Sequence, residues 1–118
     1  MGTVVYVGNC LKKVSANERR AIDKGMEKLR CMIEQYEHQG QPFEKICNND
    51  TIKYDILGGN FFTFKHQSQQ MPLRILYRFK RTQDDFNLEV HMAYIKKHAD
   101  KRYMKTFAEY VESCAIPA

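Results

Sequence analysis

The sequence predicts an α+β fold: a strand and a long helix, or helix pair, packed on a curved antiparallel sheet, with a short helix closing the chain. Three observations lead there. A four-and-three apolar spacing runs through residues 16–38, β-rich runs separated by turn residues fill residues 51–96, and a second helical stripe spans 101–114. The 118 residues suit one domain, 1–118, with room for a single main core.

The elements follow in order. Thr3-Val4-Val5-Tyr6-Val7 is rich in β-branched and aromatic residues and reads as a first strand. Ser15-Ala16-Asn17-Glu18 has the form of a capping box, in which the Ser15 hydroxyl and the Glu18 carboxylate each satisfy a backbone amide of the first turn. Beyond it Ile22, Met26, Leu29, Ile33 and Tyr36 form one apolar stripe, opposite Arg19, Arg20, Lys24, Glu27, Lys28, Arg30, Glu34 and Glu37. Gly40 and Pro42 end the helix.

Four strands are then expected, at Thr51–Leu57, Asn60–Gln67, Leu73–Arg81 and Phe86–Lys96. Gly58-Gly59, residues 68–72 and residues 82–85 provide short turns, so an antiparallel meander is expected. In the last helix, Lys101–Cys114, the stripe is Met104, Phe107, Val111 and Cys114.

Alternation assigns the faces of the strands. Leu73, Ile75, Tyr77 and Phe79 share one face, opposite Arg74, Leu76, Arg78 and Lys80. In the next strand Leu88, Val90, Met92 and Tyr94 share a face, opposite Glu89, His91, Ala93, Ile95 and Lys97. The apolar face packs on the long helix. The other is then an open, basic and titratable surface of Arg74, Arg78, His91 and Lys97, joined by Lys65 or by its neighbour His66. Convergent cations of this kind suit a phosphate-rich ligand.

Composition and motifs narrow the function classes. Lys and Arg number 19 against 14 Asp and Glu, a net charge of +5, which fits a polyanionic partner. No run approaches the roughly 20 apolar residues of a membrane span. The N-terminus lacks the basic-then-apolar order of a signal peptide, so a cytoplasmic protein is expected. Cys10, Cys31, Cys47 and Cys114 form no CxxC pair and are expected as reduced, mostly buried thiols. P-loop, GxGxxG, HExxH and GxSxG motifs are all missing, and the scattered carboxylates build no metal cage, so no metal and no cofactor is expected.

Pro72-Leu73-Arg74-Ile75-Leu76-Tyr77, followed by Ala93-Tyr94-Ile95-Lys96-Lys97 and then Tyr103, resembles the RelE/ParE superfamily of toxins from type II toxin–antitoxin systems. These carry an arginine–aliphatic–aliphatic–tyrosine strand, a strand ending in a basic pair, and a short C-terminal helix. The resemblance implies a ribosome-associated mRNA endonuclease (an mRNA interferase of the RelE/HigB kind) that inhibits translation and is neutralised by a cognate antitoxin. It also implies metal-free chemistry, in which a ribose 2′-OH attacks the adjacent phosphate. Within it Arg74 matches the phosphate clamp, Lys97 stands where the ribosome-dependent branch has an arginine, and Tyr103 could stack on or orient a base.

The general base is open. Lys65 lies in the strand where that branch carries lysines, and His66, His91 and His98 are rivals because imidazole titrates near neutrality. Arg78, Lys96, His66, His98 and Lys101 would add RNA contacts. Two other readings stand beside this one: the ParE-type branch, which poisons DNA gyrase by protein contact, and a non-enzymatic basic module that binds RNA or a protein.

Overall fold

The computed structural model describes residues 2–46, 56–58, 61–68, 71–95 and 102–115. The chain runs β1 (Thr3–Tyr6), α1 (Ala16–His38), α2 (Phe43–Ile46), β2 (Ile56–Gly58), β3 (Phe61–Ser68), β4 (Met71–Arg81), β5 (Phe86–Ile95) and α3 (Arg102–Ala115). The fold is α+β, as expected.

Helix α1 begins where the capping box puts it. The Glu18 amide donates to the Ser15 hydroxyl at 3.2 Å, and the Ser15 amide donates to the Glu18 carboxylate at 2.8 Å. Ile22, Met26, Leu29 and Ile33 are buried, so the apolar stripe is the packing face. Gly25 lies on that stripe because β3 comes close: a Cβ there would stand 2.9 Å from the His66 ring. α1 is one helix, followed after Gly40 and Pro42 by the four-residue α2, which the sequence does not announce.

The strands form one sheet in the order β1-β5-β4-β3-β2. β2 to β5 are the expected antiparallel meander. β1 departs from the expectation of a strand lying over the sheet: it joins the sheet edge, parallel to β5, with Thr3 to Tyr6 opposite Asn87 to Val90. The Val7 amide extends this pairing to the Val90 carbonyl at 3.0 Å. Of the expected first meander strand, residues 51–55 lie outside the described residues, as do the turn at 59–60 and Cys47.

On one face α1 and α2 cover the main core of Phe62, Phe64, Leu73, Ile75, Tyr77, Phe79, Leu88 and Val90. Phe43 of α2 stacks on Phe79 with ring centroids 4.1 Å apart and meets Phe62 edge-on at 5.0 Å.

The faces of β5 differ from strict alternation. Tyr77 pairs with Val90 but Leu76 pairs with Met92, so His91 is an extra residue, a β-bulge. Beyond it the parity reverses. Ala93 and Ile95 pack against the main core, and Met92 and Tyr94 turn to the opposite face. There Phe61, Leu76, Tyr103, Phe107 and Val111 make a second, smaller core under α3. The buried stripe of α3 therefore starts at Tyr103, while Cys114 is exposed. Cys10 and Cys31 are half-buried thiols rather than fully buried ones. No helix of the described residues is long and apolar enough to cross a membrane.

Candidate functional site

The sheet face under α3 carries the cations of the central strands. Register sets them in rows across β3, β4 and β5: Lys65, Arg74 and Tyr94 in one, Thr63, Leu76 and Met92 in the next, and Phe61, Arg78 and Glu89 in the third. Leu76 lies between the two arginines. The face thus holds two polar groups on either side of an apolar seat for α3.

The first group centres on Arg74. Strand parity expects this side chain on an open surface, yet it is only 3% exposed, because α3 lies over it. Its guanidinium donates to the Leu73 carbonyl at 3.0 Å and sits 5.5 Å from the centroid of the Tyr103 ring. Tyr103 in turn packs against Tyr94, with centroids 6.3 Å apart. Lys65, directly across from Arg74, is exposed. Arg74, Tyr103 and Lys65, three of the residues expected at the site, are therefore neighbours.

The second group centres on His91, which the bulge aims towards α3. Its Nδ1 lies 2.8 Å from the Tyr110 hydroxyl and its Nε2 3.5 Å from a Glu89 carboxylate oxygen. The Phe61 ring meets the imidazole edge-on at 4.9 Å. Burial, helped by Arg78 and Lys80, pushes the His91 pKa down against the opposing pull of Glu89. Glu89 is itself raised by burial, but Lys80, 3.2 Å away, and His91 outweigh this and hold its carboxyl below the usual range. Burial raises the Tyr110 phenol. At neutral pH the chain Glu89–His91–Tyr110 is thus a carboxylate, a neutral imidazole and a neutral phenol, an arrangement able to take up and pass a proton.

Arg78 stands beside this group with its guanidinium 5.1 Å from the Phe61 ring centroid. Its buried Nε has no hydrogen-bond partner among the described residues, and neither has the hydroxyl of the fully buried Thr63.

His66 belongs to the other face. It pairs in register with Leu73, stacks on Phe64 at 5.9 Å and abuts Gly25 of α1, where burial and then Lys28 lower its pKa. The choice between Lys65 and His66 for the basic face therefore falls to Lys65. Lys96, Lys97, His98 and Lys101 lie outside the described residues. Sequence reading missed Thr63, Glu89, Tyr94 and Tyr110. A helical stripe phased on Tyr103 rather than Met104 would have found Tyr110 beside Phe107.

Among the described residues no group of three His, Cys, Asp or Glu side chains could hold a metal ion. Elsewhere Glu34, Glu37, His38, Asp84, Asp85 and Phe86 line an open acidic recess of about 260 Å³. Two of its carboxylates already serve arginines, Glu34 with Arg30 and Glu37 with Arg81. No protein-family model matches the chain, and no curated protein matches it in sequence.

Proposed function

We propose that the chain is a cytoplasmic toxin of the RelE/HigB kind: a metal-independent mRNA endonuclease that acts at the ribosome and is held in check by a cognate antitoxin. The observation that carries this reading is the juxtaposition of Arg74 with Tyr103 and Lys65. Tyr103 is distant in the chain from the other two; Arg74 and Tyr103 are motif residues to which the resemblance gives phosphate and base contacts, and Lys65 lies in the strand where the ribosome-dependent branch carries lysines.

The chemistry needs only proton transfers and fixed positive charge. A base takes the ribose 2′-OH proton as the 2′-oxygen bonds to phosphorus. The bond from phosphorus to the 5′-oxygen breaks, and that oxygen leaves with a proton, giving a 2′,3′-cyclic phosphate and a 5′-OH. The Arg74 guanidinium offsets the charge building on the phosphorane-like transition state, and Lys65 next to it adds a second cation. Tyr103 stacks on a neighbouring base. His91, tied to Glu89 and Tyr110, is the group on this face best suited to exchange a proton near neutral pH.

The test is induced expression of the parent chain, Arg74→Ala and Arg74→Lys, with sequencing of new 5′-hydroxyl RNA ends. Growth arrest with new ends in translated mRNA is expected from the parent. Loss of one transition-state donor should lower cleavage about 10²–10³-fold in Arg74→Ala. Arg74→Lys should recover part of it, since an ammonium lacks the planar fork. Arrest without new RNA ends would point to the gyrase-directed branch, and neither effect to a binding module.

A further inference from the structure

β1 lies at one edge of the sheet, so β5 uses only one side of its backbone. The Val7 amide donates to the Val90 carbonyl, which means that the odd-numbered residues of this strand turn their backbone groups to β5. Those of Val4 and Tyr6 point outward, and among the described residues no hydrogen bond reaches them. Exposed edges normally carry a charge, a proline or a bulge that blocks further pairing. Thr3-Val4-Val5-Tyr6 has none of these, and its register against β5 is unbroken. Its shortness is its one protection.

The side chains single out Val5. Val4 and Tyr6 pack against the main core, so Val5 turns to the opposite face. There it is 41% exposed, the one exposed large hydrophobic side chain among the described residues. Tyr6 is held ready beside it: its hydroxyl donates to Asp23, and the Arg19 guanidinium lies 4.3 Å from the ring centroid.

We propose that β1 pairs antiparallel with β1 of a second copy of this chain, about a twofold axis at Val5. The outward groups set the register. Val4 faces Tyr6 of the second copy and Tyr6 faces its Val4, each pair exchanging both N–H···O bonds. Only this register satisfies both outward residues of each copy within β1; a shift either way sets one of them against Gly2 or Gly8. Val5 then meets Val5 of the second copy in the pair between, where side chains approach most closely. The contact is isologous and closes on itself, so it makes a dimer and not a fibre. Two short strands bury less than the roughly 1,200 Å² of a standard complex, so the dimer is weak and forms as concentration rises.

Sedimentation equilibrium of the full chain in reducing buffer, from about 5 to about 500 µM, should show monomer giving way to dimer. Val5→Lys sets like charges face to face and should abolish the dimer. Val4→Pro removes an outward amide, which an edge strand tolerates, and should abolish it too. Circular dichroism checks that each variant is folded, and either one serves if the other is not. Cross-linking reads the register. Val5→Cys should form an intermolecular disulfide with diamide, because facing Cα atoms in such a pair lie about 4.5 Å apart. Val4→Cys should not exceed the parent, whose own thiols set the background. Val4 and its copy stand two residues out of register, beyond the roughly 7 Å that a disulfide spans. A monomer throughout, with no cross-link above the parent, overturns the pairing and leaves the edge to a strand of another protein. A dimer that survives Val5→Lys and Val4→Pro uses another surface and also overturns it. Equal cross-linking of Val4→Cys and Val5→Cys overturns the register and the axis at Val5.

Discussion

In β5, Val90 pairs with Tyr77 and Met92 with Leu76, so His91 occupies a position that no residue of β4 faces. Deleting a residue from the middle of a central strand normally slips the register and turns every later side chain to the wrong face. Deleting His91 should instead join Val90 to Met92 in an unbroken ladder and leave every other pair as it is. The losses are then local. The hydrogen bond to Tyr110 contributes about 0.5–1.5 kcal/mol net. The edge contact with Phe61 contributes a similar amount, about 0.5–1.5 kcal/mol. The sum, about 1–3 kcal/mol, corresponds to a fall in Tm of roughly 4–12 °C for a domain of this size.

Leu88 supplies the contrast. It is fully buried opposite Phe79, and its deletion keeps the ladder only by sliding Asn87 into the core. That removes a buried leucine, about 2–5 kcal/mol, and buries an amide with no partner, about 1–3 kcal/mol more. Together these approach the whole stability of a small domain, about 5–15 kcal/mol. Thermal melts followed by circular dichroism on the two deletions check the reasoning. A His91 deletion that melts as low as the Leu88 deletion, or that loses its folded signal, would show that the bulge is not where the register places it.

Acid should destabilise the fold through its histidines. Burial holds His91 and His66 below the ordinary histidine value of 6.5, so the unfolded chain binds protons first. Their contribution is complete above that value and is lost as pH falls through it and below. The urea midpoint should drop between about pH 7.5 and about pH 5.5, and a His66→Gln/His91→Gln double variant should flatten that drop; an unchanged slope refutes it. Arg81 ties α1 to α2 and β4, bonding Glu44 at 2.7 Å and also Glu37, and this holds the Glu44 carboxyl low. Because the pair is largely exposed, Arg81→Ala should cost only about 0.5–1 kcal/mol by urea titration. The difference should shrink at about 1 M salt; a larger, salt-independent loss would mean that packing rather than charge is at stake.

What the sequence makes legible is local. The limits of α1 follow from a capping box and a regular stripe, two signals that agree. β3, β4 and β5 follow from turn residues and alternation. Three features depend on contacts between distant segments and leave no local mark. β1 pairs with the last strand of the sheet, and nothing in Thr3–Val7 names that partner. The bulge leaves Val90-His91-Met92 looking like regular alternation, so Met92 and Tyr94 read as main-core residues when they belong to the other face. The side on which α3 docks decides whether Arg74 meets water, and parity alone cannot supply it. The candidate site was legible as a set of residue types. Its division into an Arg74 group and a His91 group was not, because Leu76 and the seat of α3 divide it.

The bulge and the docking of α3 are two aspects of one arrangement. Without the bulge, the same residues in strict alternation would send Ala93 and Ile95, not Met92 and Tyr94, towards α3 if the start of β5 kept the same face. Accommodating His91 as a bulge lets Met92 and Tyr94 reach the second core and leaves the smaller alanine with the main one. It also turns His91 towards Tyr110, a polar fastening between α3 and β5. Joining Val90 directly to Met92 keeps Met92 opposite Leu76, so the seat survives while the fastening goes. The His91 deletion therefore separates the two jobs: α3 should still dock on Met92, Tyr94 and Leu76, and its amides should exchange faster than in the parent. If α3 instead stays as protected as before, the bond to Tyr110 contributes nothing to its docking.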